Sequence, residues 1–221
     1  MKARGMSIGR QAERIPSLAR MTGASVATVR NFVDGRFVDG SDAYELASPV
    51  DGRPATVVAI ADAALVDAAV RSARSALAGE WGRTTVSQRV AILRRIADRI
   101  EQRADEFVAT EVRDTGRPTA IARTLDVARA VANFRAFADI ISTQGTDAHL
   151  TDLGDGGRAI NYVSPKPLGV VAVIVPWNLP LLLMTWKAGP ALACGNTVVV
   201  KPSEATPRTA ALLGEVMNKV G

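Results

Sequence analysis

Cysteine and histidine are nearly missing from this chain of 221 residues, which holds one of each, Cys194 and His149. A single cysteine cannot close an intramolecular disulfide, and the pair cannot supply the four nitrogen or sulfur ligands of a structural zinc site, so no metal ligand is assigned. Aromatics are also scarce, at 5% with two tyrosines. Without aromatics interleaved among basic residues there is no platform for stacking bases, and no nucleic-acid partner is expected. Lys2, Arg4, Arg10, Arg14 and Arg20 are not followed by an apolar core. That excludes a secretory signal, and a cytoplasmic location is expected. The longest apolar run, about eighteen residues from Gly169 to Trp186, approaches the length of a membrane span. Pro176, Asn178 and Pro180 interrupt it, and an Asn with two prolines is costly in lipid, so no membrane partner is expected.

What is present suits a packed soluble protein: 48% hydrophobic residues and a net charge of +5. The excess of positive charge comes from arginines such as Arg71, Arg94, Arg95, Arg99 and Arg103, which alternate with Asp98, Glu101 and Asp105 as on a solvated, ion-paired helix face. Residues 1–30 read as a basic, disordered extension, with Met21 a second candidate start.

Residues 31–158 read as hairpins followed by helices. Asp34-Gly35 between two short apolar runs is a two-residue hairpin turn, and Asp51-Gly52 marks another. Asp62 is placed to cap a helix whose apolar positions are Leu65, Ala69, Ala73, Ala76 and Leu77. Thr85 and Gln88 form a capping-box pattern ahead of Val90, Leu93, Ile96 and Ile100, and one long helix is expected to run on to Asp114-Thr115-Gly116-Arg117-Pro118. A third helix is expected from about Thr119 to Ile141, with Leu125, Val131, Phe134 and Phe137 on its apolar face. Gly145 to Gly157 reads as a loop. Ala159 to Ser164 alternates like a strand, and Pro165 and Pro167 suit an edge.

The richest stretch is Leu168 to Glu204. Gly169 to Val175 is an unbroken, mostly β-branched run of the kind buried in parallel sheets. A break at Pro176-Trp177-Asn178 precedes a helix from Leu181 to Cys194 that stops at Gly195. Thr197 to Val200 is a second strand, with Lys201, Ser203 and Glu204 past its carboxyl end. Thr206-Pro207 then reads as an N-cap followed by proline at the first helical position. The result is a β-α-β-α unit whose polar residues lie where open parallel sheets bind ligands. The fold class is therefore α/β, an incomplete parallel sheet preceded by a β-hairpin and a helical lead-in.

The segment PWNLPLLLMTWKAGPALACGN, followed by VVVKPSE and TP, resembles the aldehyde dehydrogenase superfamily, and the likeness extends from about Asn31 to Gly221. Asp114-Thr115-Gly116, Ala128-Arg129 with Ala132-Asn133-Phe134, Phe137-Ala138-Asp139 and the run Leu181 to Lys187 are most similar to the 2-hydroxymuconic and 2-aminomuconic semialdehyde dehydrogenases. In that family a cysteine thiolate attacks an aldehyde, hydride passes to NAD(P)+ and water releases the acid.

The resemblance implies a Rossmann-like sheet with residues 169–221 as its first half, and residues 159–168 as an oligomerisation strand segment. It implies Asn178 as the catalytic side-chain donor to the oxyanion. Lys201 and Glu204 would hold the adenosine ribose hydroxyls, with Val175, Pro176, Trp177 and Ser203 also at the cofactor. Glu204 would repel a 2′-phosphate, which favours NAD over NADP. Arg129 would clamp a substrate carboxylate through its planar fork, its plain alternative being a surface arginine. Lys187 reads as a helix-surface lysine. The family's nucleophilic cysteine and general-base glutamate are expected beyond Gly221, so Cys194 is expected to pack as a small hydrophobe. The expected partners are a small aldehyde and, at full length, further copies of the chain. A non-catalytic truncated product, or a dehydrogenase of betaine aldehyde or simple aliphatic aldehydes, are the competing readings.

Overall fold

The computed structural model describes residues 27–220 and the backbone of residues 14–15. Strands β1 (Arg14–Ile15), β2 (Ala27–Val29), β5 (Asp42–Ala47) and β6 (Pro54–Ile60) form a sheet in the order β1-β5-β6-β2. Its pairs are antiparallel except for β2 beside β6. Ala27–Val29, read as part of a disordered extension, is thus a strand. The rest of that stretch, apart from Arg14–Ile15 and Arg30, lies outside the described residues, as does Met21. Between these strands, β3 (Asn31–Val33) and β4 (Arg36–Val38) form the expected hairpin. Asp34 and Gly35 both have positive φ, 54° and 73°, the geometry whose twist matches that of paired strands.

Helix α1 (Ala63–Ala78) begins as expected, with Asp62 accepting from the Leu65 N–H at 2.8 Å. Helix α2 (Val86–Gln102) opens with the Thr85–Gln88 capping box. It does not continue to Gly116. The chain breaks at Arg103 (φ −103°, ψ 21°) and restarts as α3 (Ala104–Thr115). Arg103 lies between the two helices and grips Glu106 with two bonds of 2.8 Å and Glu215 with one of 2.9 Å. No Gly or Pro marks the place, and one of the two partners of Arg103, Glu215, lies 112 residues away.

The expected third helix is α4 (Thr119–Ile121), a π-helical stretch at Ala122–Val127 and α5 (Ala128–Thr143). The extra residue in the π-turn rotates the helix face. Leu125, expected to be buried, is consequently exposed, and Asp126 is buried in its stead. The expected loop at Gly145–Gly157 contains a strand, β7 (Ala148–Asp152), paired antiparallel with β8 (Arg158–Tyr162). The Gly and Asp residues at 154–157 make the turn; His149, Leu150 and Thr151 before them have strand character that the turn composition masked.

The carboxyl-terminal unit is β9 (Val170–Ile174), α6 (Pro180–Ala193), β10 (Thr197–Lys201) and α7 (Arg208–Val220). β9 and β10 are parallel, with Thr197 opposite Val170 and Lys201 opposite Ile174. Proline opens α6, and Gly195 follows it with φ +83°. α7 begins one residue later than Thr206-Pro207 predicts. The Thr206 hydroxyl is buried without a partner, and the Arg208 N–H donates to the Asp114 carboxylate at 2.8 Å. A side chain from α3 therefore takes the capping role.

One core joins α2, α3, α5, α6 and α7, with Leu93, Ile100, Phe107, Phe134 and Leu181 fully buried. Each such side chain contributes about 2 kcal/mol on burial. The charged surface pairs as the composition implies, through Arg71–Asp67, Arg94–Asp139 and Arg135 with both Asp98 and Glu101. Cys194 is exposed rather than packed. It follows the last turn of α6, where its neighbours Ala193, Gly195 and Asn196 take the buried positions. Among the described residues, no helix is long and apolar enough to cross a membrane.

Candidate functional site

Two loops leave the carboxyl ends of neighbouring parallel strands. Residues 175–179 follow β9 and residues 202–207 follow β10. The Val175 N–H donates to the Lys201 carbonyl at 3.1 Å, so the loops start side by side. This edge of an open parallel sheet is where ligands bind.

In the first loop Val175 is buried, while Pro176, Trp177 and Asn178 are exposed. The Asn178 side chain has no hydrogen-bond partner among the described residues; its main-chain carbonyl accepts from Arg117 Nη2 at 2.7 Å. The Leu181 N–H, in the first turn of α6, donates to Glu111 Oε1 at 2.9 Å. Lys187, one and a half turns further on, donates its ammonium to the Ile174 carbonyl. It is exposed on α6, as a helix-surface lysine should be, and ties the helix to the strand end.

In the second loop Lys201 Nζ lies 3.3 Å from Glu204 Oε2, both side chains being exposed. A backbone hydrogen bond within Glu204, assisted by Lys201, holds its carboxyl below the usual range, so it is ionised and can accept. Ser203 is buried, its hydroxyl accepting from the Ala205 N–H at 3.3 Å. Tyr44, reaching over from β5, donates its hydroxyl to the Glu204 carbonyl at 2.6 Å.

Behind both loops lies a cluster of acids to which the sequence reading gave no site role, Asp114 appearing there only at the helix end and in the family motif, and Glu111 not at all. Glu111 and Asp114 stand one turn apart on α3 and are both buried. Glu111 holds the start of α6, and Asp114 takes both the main-chain N–H and the guanidinium of Arg208 at the start of α7. Each of the two helices that follow a site loop is thus anchored to the same helix. Burial pushes Glu111 up to about 7, with Asp126 and Asp114 adding to the rise and the Leu181 N–H opposing it. Burial likewise raises Asp114 to about 6 against the pull of Arg208. One signal was legible: Phe107, Val108, Glu111 and Asp114 fall on one helical stripe, an apolar face carrying two acids.

Arg129 is exposed on α5. One turn later Asn133 is buried and donates to the Leu182 carbonyl and the Thr185 hydroxyl of α6, at 3.2 and 3.0 Å. That fixes the face of α5 that carries Arg129 beside the helix that follows Asn178. The structure brings Asn178, Lys201, Ser203 and Glu204 to one edge, and gives Arg129 no contact with them.

The aldehyde dehydrogenase family model matches residues 37–221. A 2-aminomuconic 6-semialdehyde dehydrogenase of Pseudomonas sp is 58% identical over 192 residues, covering 87% of this chain and 39% of that protein. A 2-hydroxymuconic semialdehyde dehydrogenase of Pseudomonas sp. (strain CF600) is 52% identical over 195 residues, covering 87% and 40%. The chain therefore spans about two fifths of the length of these curated relatives. Among solved structures, the NAD+ complex of an aldehyde dehydrogenase from Bacillus cereus matches with a TM-score of 0.83 at 32% identity, over 88% of this chain and 39% of that one. PnpE from Pseudomonas sp. WBC-3 matches at 0.82 with 42% identity, over 88% and 39%. With a family match over most of its length and a fold shared with these structures, the chain belongs to the aldehyde dehydrogenase family.

Proposed function

We propose that the protein carrying this chain is an NAD-dependent dehydrogenase that oxidises a carboxylate-bearing semialdehyde of the muconic type to its acid. The observation that carries the reading is the pairing of the two loops. A free amide at Asn178 and an exposed Lys201–Glu204 pair stand at the ends of adjacent parallel strands, in a chain 58% identical to a 2-aminomuconic 6-semialdehyde dehydrogenase.

Each residue then has a task that its surroundings permit. The Asn178 side chain makes no hydrogen bond among the described residues, which suits an amide that donates to the oxyanion formed when the aldehyde carbon is attacked. Lys201 donates to, and the ionised Glu204 accepts from, the adenosine ribose hydroxyls, with Ser203 shaping the loop beneath them. Val175, Pro176 and Trp177 provide the wall beside the cofactor. NAD, when bound there, supplies the hydride acceptor. Arg129 provides a cationic fork for the substrate's carboxylate. The exposed apolar residues of the β7–β8 hairpin, Leu150, Ile160 and Tyr162, fit the reading that it pairs with a second copy in a homo-oligomer.

The test is a comparison of substrates. The purified protein should turn over 2-hydroxymuconic semialdehyde with NAD+ at a higher kcat/KM than acetaldehyde or betaine aldehyde. Arg129→Ala should cost about 2 kcal/mol in kcat/KM on the charged substrate and close to nothing on acetaldehyde. Equal losses on both would return Arg129 to the helix surface and remove the support for a carboxylated substrate.

A further inference from the structure

The turn Asp114-Thr115-Gly116-Arg117-Pro118 stands out in the sequence, and its arginine has a task in the fold that helix termination does not require. Gly116 takes φ +68°, which ends α3 in a conformation suited to glycine, and Pro118, the cap of α4, has φ −56°. Arg117 is therefore held between two constrained residues. Its guanidinium spans two partners: Nη1 meets Asp126 Oδ1 at 3.0 Å, and Nη2 donates to the main-chain carbonyl of Asn178 at 2.7 Å.

Asp126 is an unusual anchor. It is 1% exposed, its second oxygen has no partner among the described residues, and it lies in the π-helical stretch beside Leu125, which is 39% exposed. Burying an acid while leaving its leucine neighbour in water is the opposite of what burial energetics favours, and π-turns of this kind gather at functional sites. The local irregularity turns the carboxylate toward Arg117, and Arg117 toward the loop after β9.

We infer that Arg117, aimed by Asp126, is a positioning residue that sets the Asn178 amide by holding the main-chain carbonyl of the same residue. This rests on the reading of Asn178 as the oxyanion donor. With no hydrogen bond to its side chain among the described residues, the direction of that amide is set through its backbone. On the carbonyl side that backbone is held by the Arg117 bond; on the helix side, by the Leu181 N–H on Glu111.

The experiment uses the enzyme that carries this chain, with muconic semialdehyde and saturating NAD+. Arg117→Lys keeps a cation beside Asp126 but cannot span both partners, and Asp126→Asn keeps an acceptor but loses the charge that orients the guanidinium. Both should lower kcat by about 10- to 100-fold, the scale of a small misplacement of a reacting group, with KM for NAD+ unchanged. In an Asn178→Ala background, Arg117→Lys should add no further loss, because the group it positions is gone. If Asn178→Ala alone lowers kcat while Arg117→Lys and Asp126→Asn do not, the inference is overturned and the oxyanion reading stands. If Asn178→Ala has no effect, the reading of Asn178 falls first. Additive losses in the double variant would show that Arg117 acts elsewhere and would also overturn the inference. Should Arg117→Lys fail to fold, Asp126→Asn gives the same contrast in both backgrounds.

Discussion

The hydroxyl of Tyr44 donates to the main-chain carbonyl of Glu204 at 2.6 Å, joining two residues 160 positions apart. It fastens the loop after β10 to the four-stranded sheet. Burial, with the negative charges of Glu204 and Asp114, pushes the phenol up to about 12, so it remains a donor throughout the physiological range. Tyr44→Phe removes the bond and keeps the ring. The expected loss of stability is about 1 kcal/mol, the usual net worth of one hydrogen bond. KM for NAD+ should rise about threefold because a looser loop must be ordered on binding, while kcat holds. Thermal unfolding and steady-state kinetics check both. An unchanged KM would mean that the Ser203 turn alone shapes the loop.

Glu204 itself should govern the choice between NAD+ and NADP+. Its carboxylate is ionised and exposed, with Lys201 at 3.3 Å. In Glu204→Gln the repulsion toward a 2′-phosphate disappears, whereas part of the acceptor function to the ribose survives. The ratio of kcat/KM for NAD+ over NADP+ should fall by about tenfold. A ratio equal to that of the parent enzyme would place cofactor choice on other residues.

The β-α-β-α unit was legible because its signals are local: a β-branched run at Gly169–Val175, the break at Pro176-Trp177-Asn178 and Gly195 closing the helix; the capping box at Thr85 and Gln88 marked the start of α2 in the same way. The positions of Asn178, Ser203 and Glu204 just past the strand ends followed from those limits, whereas Lys201, expected past its strand, is the last residue of β10. What escaped depends on partners far along the chain. Arg103 stands at a helix break and pairs with Glu215, 112 residues on, a contact that local periodicity does not display. The Asp114 carboxylate displaces Thr206 from the start of α7 because it comes from 94 residues away with no entropy of its own left to lose in the packed helix α3. The π-turn carries no sequence mark, so the exchange of Leu125 for Asp126 in the interior could not be read from periodicity.

Glu111 makes the fold sensitive to pH. Its ordinary value of 4.5 is raised to about 7, chiefly by burial. The folded state thus holds a proton that the unfolded state has released between those two values. By linkage, stability is greatest below the lower value, falls as pH rises through the window, and carries the full penalty above it. Asp114, raised from 3.8 to about 6, slopes the same way. Glu111→Gln is neutral at every pH and keeps an oxygen for the Leu181 N–H, with the Thr209 hydroxyl near enough to meet its amide. Its melting temperature should therefore decline less steeply between pH 5 and 7, and at pH 8 its unfolding free energy should exceed the parent's by an amount on the order of 2 kcal/mol. Parallel pH profiles for the two proteins would rule out Glu111 as the source.

Gly189 lies within α6, where glycine is ordinarily a loss of about 1 kcal/mol relative to alanine. Here the sign should reverse. A Cβ on Gly189 would sit 2.8 Å from Phe137 Cδ2 and 3.4 Å from Cε2, distances too short for carbon atoms. The ring also meets Trp186, one turn before Gly189 on α6, edge to face, with centroids 6.3 Å apart and planes at 80°, so moving away from a Cβ would disturb that contact as well. Overpacking of this kind costs about 1–3 kcal/mol, which exceeds the gain in helix propensity. Gly189→Ala should therefore destabilise by about 1 kcal/mol net, the difference of those two effects. The cause can be isolated with Phe137→Leu, which removes the ring atoms in the way. In that background Gly189→Ala should become neutral or stabilising, a coupling of about 1–2 kcal/mol between the two sites. If alanine at 189 stabilises the parent protein as its helix propensity alone would dictate, the close packing of α5 on α6 at Phe137 is not what keeps glycine there.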